Sequence, residues 1–259
     1  MNPTRLFCAA AVAALALSAC SSDNATPAAT AEATSPAATE PIAPAATSVA
    51  SDTTAPGGTT APADSALHTF RAEVWVDNWF SLTVNGVAVG EDSVPITTER
   101  SFNAETIEFT ASYPLTVAFV SKDYKETDSG LEYIGTDRQQ MGDGGFIAQI
   151  TDTATGTVVL TTNDSWRGLV VQRAPLNQDC VTSSDPNSDC QFEALAEPAG
   201  WTDAAFDDSQ WPTATVYTAE AVGTKDGYDT ISWAPDAQLI WTSDLKVDNT
   251  ILWRVTVPG

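Results

Sequence analysis

Past residue 66 the chain reads as an all-β domain of the sandwich or barrel type. Three observations predict it. Apolar and polar residues alternate with a period of two in the first apolar run, Asn, Asp and Gly corners separate many short runs, and helical periodicity is weak throughout. Residues 67–259 form one expected folded unit, long enough to bury a stable core.

The strands follow in order. Phe70, Ala72, Val74 and Val76 alternate with Arg71, Glu73 and Trp75, the pattern of a strand with one buried face. Residues 80–84 form a second strand and 87–89 a third. Between them lies Asn85-Gly86, a pair suited to a two-residue hairpin because both positions must accept positive φ. Residues 106–111 carry Ile107 and Phe109 on one face. Residues 115–120 are apolar on both parities, which predicts a central strand covered on both sides. Residues 145–151 and 157–162 flank Thr153-Ala154-Thr155-Gly156 and predict a hairpin. Residues 166–172 and 239–241 are further short strands, and 251–257 is the last. The chain's end just after that strand predicts no fused catalytic domain.

The N-terminal quarter reads differently. Arg5, the apolar run 6–16 and Leu17-Ser18-Ala19-Cys20 predict a lipoprotein signal peptide over 1–19. The apolar run is too short to span a bilayer as a stable helix. The last four residues resemble a bacterial lipobox, which makes Cys20 the expected lipidation site and anchors the exported protein to the cell envelope, outside the cytoplasm. Residues 20–66 are almost wholly Ala, Thr, Pro, Ser and Gly with no aromatic residue. Such a stretch buries too little apolar area to offset its ordering entropy, so a disordered tether is expected.

The net charge of −23, from 34 acidic and 11 basic residues, opposes nucleic-acid and anionic-lipid binding. It fits solubility outside the cell, or attraction of calcium to acidic loops. With Cys8 in the cleaved segment and Cys20 lipidated, Cys180 and Cys190 remain, and an oxidising compartment favours a disulfide between them. His68 is the one histidine and lies at the tether junction, so soft metal ligands and a Ser-His-Asp arrangement are both disfavoured.

Four stretches carry a resemblance to the galactose-binding-like jelly-roll domains. They are Trp79 to Gly86 with its Asn-Gly corner, the run 115–120, Gly144-Gly145 through Gly156 into Asp164-Ser165-Trp166-Arg167, and Gly200-Trp201 followed by Phe206-Asp207-Asp208-Ser209-Gln210-Trp211. Their order matches the family over most of 70–257. The resemblance implies a jelly-roll β-sandwich, often used as an accessory binding module, and often one holding a structural calcium. Asp128, Asp137 and Asp143 have no diagnostic spacing for that ion, so no ligand set is assigned. Residues 122–143 and the disulfide excursion 177–198 depart from the family pattern as insertions.

The Asp207-Asp208 pair invites a glycosidase reading. Neighbouring carboxylates on a turn more commonly cap backbone amides, and the resemblance implies a packing role. For binding, the polar insertion mixes rings with hydrogen-bonding groups. Asp123, Tyr124, Tyr133, Asp137 and Arg138, with Trp79 nearby, are the candidate ligand contacts. The plainer reading of Tyr124 and Tyr133 is that they cover the end of the sandwich. The expected function is a lipid-anchored extracellular binding module without catalysis, with carbohydrate as the favoured ligand. Adhesion to a cell-surface protein and a hydrolase with an unmarked acidic site are the alternatives.

Overall fold

The computed structural model describes residues 66–97 and 103–259. The expected signal peptide, Cys20 and all but the last residue of the tether lie outside the described residues. Among the described residues no helix is long and apolar enough to cross a membrane.

The chain forms β1 (His68–Asp77), β2 (Trp79–Val84), β3 (Val87–Glu91), β4 (Ala104–Ala111), β5 (Leu115–Lys122), β6 (Leu131–Glu132), β7 (Gln140–Met141), β8 (Gly145–Asp152), β9 (Thr157–Thr161) and β10 (Arg167–Arg173). After the short helix α1 (Pro186–Asp189) come β11 (Glu193–Ala194), β12 (Thr215–Tyr217), helix α2 (Ala219–Val222), β13 (Leu239–Trp241) and β14 (Asp248–Val257). One sheet runs β12-β13-β8-β1-β4, with β9 also paired to β8. The other runs β11-β10-β14-β5-β2-β3. All these pairings are antiparallel, and the two sheets stack as a sandwich.

The period-two pattern determines which side chains meet. Phe70, Ala72, Val74 and Val76 of β1 face inward, onto Phe80 and Leu82 of β2, Phe119 of β5, Phe146 of β8 and Trp253 of β14. Phe70 pairs across the ladder with Phe109, their ring centroids 5.4 Å apart. The Asn85-Gly86 corner has φ of 52° and 76°, so both residues take the left-handed conformation that a primed hairpin turn needs. Asn85 also ties this corner to the next strand, since its Oδ1 accepts from the Thr116 amide at 2.7 Å.

Both outer sheet faces are covered. On the second sheet, Trp201 and Trp211 lie over Ala118, Val171 and Leu252. β5 therefore sits between β14 and β2 with its outward side buried as well, as its double-sided apolar pattern predicts. On the first sheet, Trp75 points outward and is covered by Val222, Tyr228 and Trp233 of the 218–237 excursion. Gln149 pins that excursion, accepting from the Ala234 amide at 2.7 Å. Four strands of two or three residues, β6, β7, β11 and β12, have no counterpart in the sequence reading. They are too short to display a period and, unlike the three-residue β13 with its apolar Leu239-Ile240-Trp241, carry no apolar run.

Candidate functional site

At one end of the sandwich, β1 and β5 finish side by side. The Asn78 amide donates to the Lys122 carbonyl at 2.8 Å, and the Asn78 side-chain oxygen accepts from the Tyr124 amide at 2.6 Å. This register places Asp77 and Asp123 at adjacent strand ends, 1% and 2% exposed. Asp123 lies against Gly142, where a Cβ would come within 2.3 Å of its Oδ2, so only glycine leaves room for the carboxylate. Neither Asp123 oxygen has a hydrogen-bond partner among the described residues. Lys225 reaches in from the loop after α2, its Nζ 3.5 Å from Asp77 Oδ2 and 3.5 Å from Asp143 Oδ1. Glu132 of β6, also buried, accepts from Gln140 Nε2 at 3.0 Å.

Two carboxylates thus contact one ammonium, and Asp123 and Glu132 lie close enough to feel the same charges. Burial holds the Asp123 carboxyl well above the usual carboxylate range, and the charges of Asp77, Glu132 and Asp143 push it further up against the pull of Lys225. Asp77 is raised as well, chiefly by burial, with Lys225 opposing. The described residues include no group of three His, Cys, Asp or Glu side chains that could hold a metal ion. Of the acids considered for calcium, Asp128 pairs with Lys125 at 2.7 Å, Asp143 turns to Lys225, and Asp137 is exposed.

The structure separates the remaining ligand candidates into pairs. Tyr124 is buried beside Asp123. The Tyr133 ring carries the Arg138 guanidinium 4.1 Å from its centroid, and the Trp79 ring carries Lys122 Nζ at 4.9 Å. These ring faces are occupied by the chain's own cations. The 122–143 loop is docked on the disulfide excursion. Cys180 and Cys190 are disulfide-bonded and pack with Leu131, Ile134 and Met141, while Gln139 Nε2 donates to the carbonyls of Val181 at 2.6 Å and Ser183 at 2.9 Å.

A cleft of about 370 Å³ opens elsewhere, at the edge where β10 and β11 of one sheet face β12 and β13 of the other. Its volume falls in the range of about 300–1,000 Å³ usual for small-molecule sites. One end is closed by the chain crossing between the sheets, where the Gly168 amide donates to the Pro212 carbonyl at 2.9 Å and Thr213 bridges Arg167. Gly168 allows this close packing, because a Cβ there would sit 2.4 Å from the Trp253 ring beneath the floor. The walls carry apolar Val170 and Leu195. The far end is polar. The Asp248 carboxylate, buried, accepts from Arg173 Nε at 2.7 Å and from Thr242 Oγ1 at 2.5 Å, and Glu193 stands nearby on β11. The Trp253 indole N–H, at the base of this cleft, has no hydrogen-bond partner among the described residues.

The Phe206 to Trp211 turn takes up its own polar groups. Asp207 accepts from the Ser209 amide at 3.0 Å, an Asx turn, and the Ser209 side chain, together with that amide, holds its carboxyl below the usual range. Asp208 accepts from Arg254 Nε at 2.8 Å. Arg254, 2% exposed on the outer side of β14, also donates to the carbonyls of Trp201 and Asp203. The two aspartates hold a turn in place and do not form a free acid pair.

Sequence reasoning did not single out Arg173, Asp248, Glu193 or Arg254. Arg173, Glu193 and Asp248 sit on β10, β11 and β14 and meet as cross-strand neighbours within one sheet, while Arg254 lies farther along β14 on the outer face, and no spacing along the chain marks these pairings. No family model, no curated protein and no solved structure matches the chain.

Proposed function

We propose that the folded domain is a non-catalytic extracellular binding module for carbohydrate, carried on a lipid anchor at Cys20, and that it is a member of the galactose-binding-like jelly-roll family. The observation that carries the binding reading is the edge cleft. It sets apolar Val170 and Leu195 opposite a polar end built from Arg173, Asp248 and Glu193. A sugar ring has this duality, with a C–H face for the apolar wall and hydroxyls that donate to carboxylates and accept from guanidinium. The order of the four sequence stretches supports the family assignment. The structural use of Asp207 and Asp208 supports the absence of a glycosidase pair there.

The test is binding of the purified protein to a glycan array. Leu195 is 52% exposed, so Leu195→Arg fills the cleft mouth without disturbing the core. Leu195→Arg and Arg173→Ala are expected to weaken binding about tenfold or more, the scale of a charged hydrogen bond. Tyr133→Ala is expected to leave it near wild type, since that ring is already covered by Arg138. Loss on Tyr133→Ala alone moves the site to the 122–143 loop, and silence on all glycans refutes the reading. A protein partner is the second reading, favoured by Phe192 and Leu195, both about half exposed around β11.

A further inference from the structure

The carboxylate cluster at the strand ends has no part in the cleft. Its geometry is unusual for a purely structural feature. A fully buried carboxylate without a hydrogen bond is costly when charged, and Asp123 faces three more acids rather than a counter-ion of its own. The groups acting on Asp123 come from every element packed there: Asp77 from the end of β1, Glu132 from β6, Asp143 from the segment before β8, and Lys225 from the loop after α2. Lys225 is already shared between Asp77 and Asp143. Lys225 therefore makes ion pairs with two of these carboxylates, and burial favours the protonated form of Asp123.

We propose that this cluster is a proton-operated latch, in which a protonated Asp123 holds the Gly142 turn and the Lys225 loop on the ends of β1 and β5, and loss of that proton loosens both. The moving parts follow from the contacts. Gly142 rests directly on the Asp123 carboxyl, so charge there displaces the turn first. The Gly144 amide, which donates to the Leu245 carbonyl at 2.8 Å, goes with it. The Lys225 loop is tied by the Trp75 indole N–H donating to the Asp226 carbonyl at 3.1 Å, and by the ion pairs to Asp77 and Asp143.

The direction is set by linkage. In the unfolded chain Asp123 titrates near 3.8, whereas the fold retains its proton to higher pH. Between those points the folded state binds more protons than the unfolded state. The stabilisation is complete below the unfolded value and is lost as pH rises through the folded one.

Amide hydrogen exchange on the whole protein, corrected for intrinsic rates, tests the latch. Protection of the amides of residues 142–145 and 222–228 is expected to fall about tenfold or more from pH 5 to pH 8.5, while the β1–β8 ladder keeps its protection. Asp123→Asn, uncharged and the same shape, is expected to abolish that fall. Asp77→Asn, which leaves Lys225 to Asp143, is expected to reduce it. Equal pH dependence in wild type and Asp123→Asn overturns the proposal. So does full protection of wild type at both pH values. Restoration of protection at pH 8.5 by millimolar calcium in wild type would instead make the cluster a cation site and also overturn the latch.

Discussion

Arg254 shows how much one side chain can organise. It leaves β14 on the outer face, is almost fully buried, and holds the Trp201 to Asp208 turn by an ion pair and several carbonyls. Arg254→Met keeps the length and removes the donors. Because Asp208 stays partly exposed and can reach water, the expected loss is about 3 kcal/mol, at the lower end for a broken buried pair. Urea denaturation measures it, with quenched packing of Trp201 on Trp211 as a second readout. Gly168 is the opposite case, where the absence of a side chain matters. Gly168→Ala is expected to cost about 1–3 kcal/mol through overpacking against Trp253. A loss below the noise of the denaturation curve would show that the ring can move aside. Asp92 adds a pH signature at residue scale. Burial raises its carboxyl to about 6, despite the hydrogen bond from the Val94 amide. The stability it lends is complete below the unfolded value of 3.8 and is lost as pH rises through about 6. Asp92→Asn is expected to flatten the stability profile over that window, by about 1–2 kcal/mol after solvent screening.

At the scale of elements, the 122–143 loop and the disulfide excursion prove to be one assembly. The disulfide excursion packs on Leu131 and Met141 of the loop, and Gln139 joins them by two hydrogen bonds. Removing the disulfide with Cys180→Ser and Cys190→Ser frees a short loop, for an expected loss of about 2–3 kcal/mol. It should also expose both segments, not one, to limited proteolysis. Cleavage confined to residues 177–198 would show that the contact between them is incidental. The longer strands were legible because each spans several alternations, and the hairpin at Asn85-Gly86 because φ is constrained locally. β11 and β12 were not legible. They exist because a neighbouring sheet edge supplies their hydrogen bonds, and each adds one residue, Glu193 or Thr215, to the cleft lining. That part of the site was therefore hidden for the same physical reason as the strands that supply it. Tyr124 and Tyr133 illustrate the converse. Their residue types suggested a binding surface, yet one is buried and the other is covered by a neighbouring arginine.

Over the whole molecule, the net charge of −23 is not evenly spent. Among the described residues, most acids are exposed. A few, Asp77, Asp123 and Asp248 among them, are buried and do different work. Asp248 orients Arg173 in the cleft, whereas Asp77 and Asp123 oppose each other at the strand ends. Local rules of alternation and turn chemistry determine that the chain folds as layered antiparallel sheets, because those rules act between residues close in sequence, and Cys180 and Cys190, ten residues apart, are near enough to bond. Only the tertiary structure decides that β10, β11, β12 and β14 frame a cleft and that distant Asp77 and Asp143 share Lys225 beside the buried Asp123. Those meetings depend on which strand ends the stacking brings side by side, and a linear pattern carries no measure of that distance.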